Sequence, residues 1–278
     1  MEWVPAPTPI NENRRAQAVE KTGIIGTDQI YLFDIYVEIA KDISGYDAGS
    51  FSLYDSKNQC MISEIGKPEP REIHRKADKA ASICSYVLLE KNPLIVFDLK
   101  KHDIFKYHPA VESGMVHSYC GFPVRNKDGY ALGTFCLLNF TEVKEISSEK
   151  IELVEKLVSR LALQIDTQTE QKELTSQKIS KSIDVFLDSN SEFQINDYKS
   201  FIDICSGLNL PKENAVNLIK NGLCELKNNA VTLSSAGNEL QEKMNIFTKV
   251  HNQIKVEGNE ANTPVSYTHL TLPTKRIV

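Results

Sequence analysis

Apolar side chains recur at two different spacings along residues 1–168, and the switches between them divide this stretch into helices and strands. Within 28–43, Phe33, Tyr36, Val37 and Ala40 fall three and four positions apart, the period of a helix face, and Gly45 ends it. Over 48–54 the period drops to two. Phe51 and Leu53 alternate with Ser50, Ser52 and Tyr54, as on a strand with two unlike faces. Turn residues at 55–58 and an apolar return over 60–65 predict a hairpin. A short helix is expected at 80–89. The run Leu94, Ile95, Val96, Phe97 between Pro93 and Asp98 predicts a buried strand. Residues 100–115 are polar, rich in His and Tyr, and read as a loop with helical turns. Strands at 119–125 and 130–140 flank Asp128-Gly129, a hairpin signal. A long helix at 147–178 starts with Ser147-Ser148 as cap and Glu149 at its positive end. The expected fold class is α+β: an antiparallel-dominated sheet with helices at both ends.

The rest of the chain carries a different pattern. A helix is expected at 198–207, and Pro211 opens another whose Ala215, Leu218, Ile219 and Leu223 share a face. Residues 226–233 predict a small hairpin. The expected organisation is an extended, proline-bearing lead-in at 1–9, an α+β domain at 10–168, a helical linker at 169–182, a small helical domain at 183–256 and a disordered tail at 257–278.

Composition narrows the function classes. With 41% hydrophobic and 25% charged residues and a formal charge of -5, the 278-residue chain reads as an ordinary globular protein. It has no basic excess to draw it to nucleic acid or anionic lipid. No apolar run reaches the roughly 18 residues of a membrane span, and no secretory signal precedes the fold, so a cytoplasmic location is expected. The six cysteines show no C-x-x-C spacing and read as reduced, mostly buried thiols.

Several of these stretches together resemble GAF domains of bacterial signalling proteins. They are Asn11 to Arg15 with Thr22-Gly23-Ile24, Phe33-Asp34-Ile35 with Ala40, and Ser52-Leu53-Tyr54-Asp55. To these add Ser82-Ile83-Cys84-Ser85-Tyr86-Val87, Leu94 to Asp98, Tyr119-Cys120-Gly121-Phe122-Pro123 and Asp128 to Cys136. The resemblance implies a small-molecule pocket between one sheet face and the segments 80–89 and 99–117. On those segments Tyr54, Ser82, Cys84, Tyr86, Asp98, Phe105, His117 and Tyr119 are the candidate ligand-binding residues. It further implies a homodimer that signals through terminal helices to a downstream domain or protein. The motif of cyclic-nucleotide-binding members is missing, and no cysteine stands in a bilin-carrying or methionine-sulfoxide-reducing context, so the ligand and any cofactor are unassigned.

The chemistry-bearing residues allow other readings. His102, His108 and His117 with Asp98, Asp103 and Cys120 would need convergent geometry to hold a metal, which loop spacing does not supply; no metal is expected. A nucleophile pair His117 and Cys120 lacks an orienting third group, so an enzyme, including a thiol redox enzyme using Cys84, Cys120 or Cys136, is the less favoured reading. Gly129 suits a positive φ in its turn, and Gly133 a close backbone or ligand approach. In the long helix Ile151, Val154, Val158, Leu161 and Ile165 form a heptad seam, which serves a dimer or, with Leu153 and Leu157, the helix's own sheet. The segment 198–240 resembles a winged helix, which would make the chain a ligand-responsive transcription regulator. Residues 182–250, however, hold nine acidic and six basic side chains, so DNA is disfavoured.

The stretch VSYTHLTLPT at 265–274 resembles the translated adapter of a sequencing library. Residues 265–278 are therefore expected to be an artefact of a metagenomic-type fragment, with the natural chain continuing past Pro264.

Overall fold

A computed structural model describes residues 2–67 and 75–246. The expected tail at 257–278, with its adapter-like stretch, lies outside the described residues. The chain divides into two compact units, Met1–Lys172 and Glu173–Val278.

The first unit runs through α1 (Glu12–Thr22), α2 (Asp34–Ser44), β1 (Ala48–Tyr54), β2 (Asn58–Ile65), β3 (Lys76–Asp78), α3 (Cys84–Val87) and β4 (Leu94–Val96). It continues with α4 (Pro109–Glu112), β5 (Ser118–Arg125), β6 (Ala131–Asn139) and the start of α5 (Ser148–Ser189). The strands make one six-stranded sheet in the order β3-β2-β1-β6-β5-β4, every neighbouring pair antiparallel. The fold is α+β, as the periodicities predict.

The sheet's two faces differ in chemistry because the strand period is two. On one face Phe51, Leu53, Phe122, Val124, Phe135 and Leu137 bury against Val37 and Ala40 of α2 and Val154, Val158, Leu161 and Ile165 of α5. The apparent heptad seam is thus committed to the domain's own core, the second of the two roles it allows. Leu153 and Leu163 remain outward, 51% and 53% exposed. On the other face stand Ser50, Ser52, Tyr54, Tyr119, Thr134 and Cys136, all buried. Central strand β1 is buried along its whole length.

Gly133 locks this register. A Cβ there would stand 1.9 Å from the Ser52 carbonyl oxygen, so the close approach expected at this glycine is made by the β1 backbone. Gly129, by contrast, meets nothing and sits at φ 83°, the conformation its hairpin turn requires.

Some elements differ from expectation for local reasons. The helix expected at 80–89 breaks into a 3-10 turn, Lys79–Ala81, and α3. The Asp78 carboxylate accepts from Ala80 N–H and the Ser82 hydroxyl accepts from Cys84 N–H, so each turn is opened by its own side chain. Helix α5 runs beyond the expected 178 to Ser189, where Phe186 enters the apolar core of the second unit.

Arg15 of α1 is 1% exposed. Its guanidinium donates to the carbonyls of Tyr54 (2.9 Å), Asp55 (3.0 Å) and Ala131 (3.4 Å) and pairs with Glu12 at 2.7 Å. One planar fork thereby fastens α1 to the adjoining ends of β1 and β6.

The second unit contains α6 (Ile195–Cys205), α7 (Val216–Lys220), β7 (Cys224–Lys227), β8 (Ala230–Leu233) and α8 (Ser235–Lys243) around Phe186, Phe201, Leu218 and Leu240. Its hairpin turns on Asn228 and Asn229, at φ 51° and 65°. Two successive positive values mark the type I′ turn that matches strand twist, and asparagine tolerates them. Among the described residues no helix is long and apolar enough to cross a membrane.

Candidate functional site

The polar sheet face is roofed by α3, by the 3-10 turns Leu99–Lys101 and Phe105–Tyr107, and by α4. Tyr54, Cys84, Phe105 and Tyr119 meet there in one buried cluster with Val87, Leu99, Val111, Ala131 and Cys136, and Tyr86 packs on its edge.

Inside this compartment three hydroxyl groups have no hydrogen-bond partner: Tyr54 Oη, Tyr119 Oη and Thr134 Oγ1. The side chains of Ser82 and Thr134 come near the Tyr54 phenol, without bonding geometry. Burial, then the neighbouring Cys84 thiol, push both phenols well above the ordinary tyrosine range, so they stand as neutral donors. A buried, unbonded hydroxyl costs about 1–3 kcal/mol, and natural structures contain few. Three such hydroxyls stand on the polar side of the sheet.

Strand geometry brings them together. Ser52 pairs with Thr134 across β1 and β6, and Gly121 pairs with Cys136 across β5 and β6. Gly121 makes room for the Tyr119 ring, since a Cβ would lie 2.4 Å from its hydroxyl. The thiols of Cys84 and Cys136 are 3.6 Å apart, and Ser50 Oγ lies 3.1 Å from Cys136 Sγ.

The roof is pinned by its histidines. His108 Nδ1 accepts from Ala110 N–H at 3.2 Å, which leaves Nε2 to donate to the Ala81 carbonyl at 3.0 Å. His102 Nδ1 accepts from Ile104 and Phe105 N–H, and its ring stacks on Phe105 at 4.0 Å. Burial lowers its basicity. These rings cap turns.

Outside the roof lies the lead-in. Trp3 Nε1 donates to the Ala80 carbonyl at 3.1 Å, and Tyr86 Oη donates to the Val4 carbonyl at 2.7 Å. The Trp3 ring meets Tyr86, Phe105 and His108 at 5.9, 6.4 and 4.7 Å.

Of the other candidates, Asp98 and His117 stand apart and Ser82 lies at the edge, near the Tyr54 phenol. Ser82 is half-buried at the start of α3. Asp98 turns its carboxylate to Lys100 N–H and, at 2.9 Å, to Lys101. His117 is half-buried and tied through its backbone to Leu99 and Asn139. Three participants were not singled out from the sequence for this site: Thr134, Ser50 and Trp3. Strand alternation carries a signal for the first two once the β1–β6 register is known. Trp3 has none, because its partners are remote in the chain.

No curated protein matches the chain. Among solved structures it is similar to the blue-light absorbing form of the Thermosynechococcus elongatus PixJ GAF-domain, at 12% identity and TM-score 0.45, covering 62% of this chain and 96% of that one. It is also similar to the GAF domain of an Acinetobacter phosphoenolpyruvate-protein phosphotransferase, at 16% and 0.43, covering 59% and 93%. A third is the GAF-B domain of DevS from Mycobacterium smegmatis, at 12% and 0.42, covering 53% and 99%. The GAF domain family model matches residues 30–165, and this stretch of the chain is a GAF domain.

Proposed function

We propose that the GAF domain is the sensor of a cytoplasmic signalling protein and that it binds a small molecule on the polar face of its sheet. The observation that carries this reading is the set of unpartnered buried hydroxyls on Tyr54, Tyr119 and Thr134. A ligand with hydrogen-bonding atoms completes them, while Val87, Leu99 and Phe105 cover its apolar parts. Cys84, Ser82 and Tyr86 adjoin on the roof; Asp98 and His117 play a smaller part, at its margin. Ligand contact at Tyr54 reaches helix α1 through Arg15, and a homodimer using outward residues of α5 such as Leu153 and Leu163 relays the change.

The second unit's order of helices, hairpin and closing helix suits a winged-helix-like output. Its helix Val216–Lys220 brings one lysine, so a protein contact is favoured over duplex DNA.

Native mass spectrometry of protein purified from cells tests the sensor reading. A retained small molecule appears as added mass and is lost from a Tyr54→Phe, Tyr119→Phe double variant. Bare protein that shows no thermal shift with any member of a broad metabolite panel would remove it.

A further inference from the structure

The Cys84 and Cys136 sulfurs lie 3.6 Å apart, on two different elements, roof helix α3 and central strand β6. A disulfide at about 2.05 Å needs only a small inward movement. Both side chains are buried, Cys84 at 8% exposure and Cys136 at 2%. Both belong to the chain's six cysteines and are free thiols.

The six differ in reactivity. Cys120 lies on the opposite, apolar sheet face against Tyr46 Oη at 3.4 Å, and burial pushes it up to about 11. Cys60 is buried beside the Asp55 carboxylate, and both effects oppose its ionisation. Burial likewise raises Cys205 and Cys224. Cys84 goes the other way: the adjoining Cys136 thiol, then the nearby Tyr119 and Ser82 hydroxyls, draw its thiol down against burial. Thiolate character is what makes a cysteine a nucleophile.

We propose that Cys84 and Cys136 are a peroxide-driven redox switch inside the roofed compartment, Cys84 taking the oxidation and Cys136 resolving it into a disulfide that staples helix α3 to strand β6. In the first step the Cys84 sulfur attacks one oxygen of a hydroperoxide. The O–O bond breaks, Cys84 becomes a sulfenic acid, and the thiol proton ends on the departing alcohol or water. The Tyr119 hydroxyl, which lies beside Cys84 and has no hydrogen-bond partner, donates to that departing oxygen. In the second step the Cys136 sulfur attacks the Cys84 sulfur. The S–O bond breaks, the S–S bond forms, and water leaves with the Cys136 proton. Two thiols give two electrons to one peroxide, and an external dithiol reverses the exchange. The switch needs no other ligand, so it stands or falls apart from the binding reading above.

The test uses the full chain, reduced, freed of reductant and exposed to stoichiometric hydrogen peroxide. Remaining thiols are then alkylated under denaturing conditions and mapped by mass spectrometry. The expected result is the loss of two hydrogens and a cross-linked peptide joining Cys84 to Cys136, reversed by dithiothreitol. With Cys136→Ser, a dimedone adduct on Cys84 is expected instead. Full alkylation of both cysteines in the wild-type protein after peroxide, or a cross-link confined to another pair such as Cys205 and Cys224, would overturn the proposal.

Discussion

Arg15 donates to the main-chain carbonyl of Tyr54 at 2.9 Å, while the phenol of Tyr54 stands unbonded in the compartment. Arg15 therefore connects the end of the polar sheet face to helix α1. Removing the guanidinium takes a donor from three carbonyls at once and leaves Glu12 its pair with Lys79 alone among those described. Arg15→Met is expected to destabilise by about 3–5 kcal/mol, read from the urea midpoint. Arg15→Lys should recover little, because an ammonium cannot span the carbonyls the fork reaches. Full recovery by lysine would show that charge alone matters here.

The phenol itself calls for the opposite sign. Tyr54→Phe or Tyr119→Phe deletes a buried hydroxyl without a partner, so each variant should raise the ligand-free melting temperature, by about 1 kcal/mol in stability. Ligand retention should fall in the same variants. A fall in ligand-free stability would mean that the hydroxyls are already bonded within the protein.

Gly133 and Gly129 make a paired comparison. Gly133→Ala drives a methyl into the Ser52 carbonyl of β1 and should cost about 1–3 kcal/mol. Gly129→Ala meets no atom and should cost only the strain of a positive φ, about 1 kcal/mol. Equal costs in equilibrium denaturation would contradict the close approach.

Acid should weaken the β1–β2 turn. Burial raises the Asp55 carboxyl, but hydrogen bonds from Asn58 and Lys57 outweigh it and hold the group at about 2. A depressed folded value gives stability that is complete above the unfolded value of about 3.9 and is lost as pH falls through about 2. Asp55→Asn should flatten the stability profile across that window, measured by denaturation at stepped pH.

Trp3 is the chain's one tryptophan, which makes its emission a monitor of the roof. Tyr86→Phe keeps the ring contact and removes the hydrogen bond to Val4. A red shift in emission and faster protease cleavage ahead of α1 are expected. An unchanged spectrum and digestion rate would show that the lead-in is held by Ala80 and the rings alone.

How much of this was readable before the coordinates depends on the range over which each cause acts. Alternation over 48–54 is local, so strand β1 and its two unlike faces could be read from Phe51, Leu53, Ser52 and Tyr54. The pairing of Ser52 with Thr134 is not local, and it alone puts Thr134 beside Tyr54. β3 consists of Lys76, Ala77 and Asp78, too short and polar to announce itself. The seam on α5 fits two periods over so few turns, and only packing against Phe51 and Phe135 decides between them. The tie between Trp3 and Ala80 links residues 77 positions apart, beyond the reach of any pattern.

The pleat separates heredity of shape from heredity of taste. Along β1, odd-numbered positions such as Phe51 and Leu53 hold the domain together, while even-numbered Ser50, Ser52 and Tyr54 line the opposite face. Evolution can retune the second set without endangering the first, so descendants of this scaffold can exchange one stimulus for another while their backbones stay superimposable.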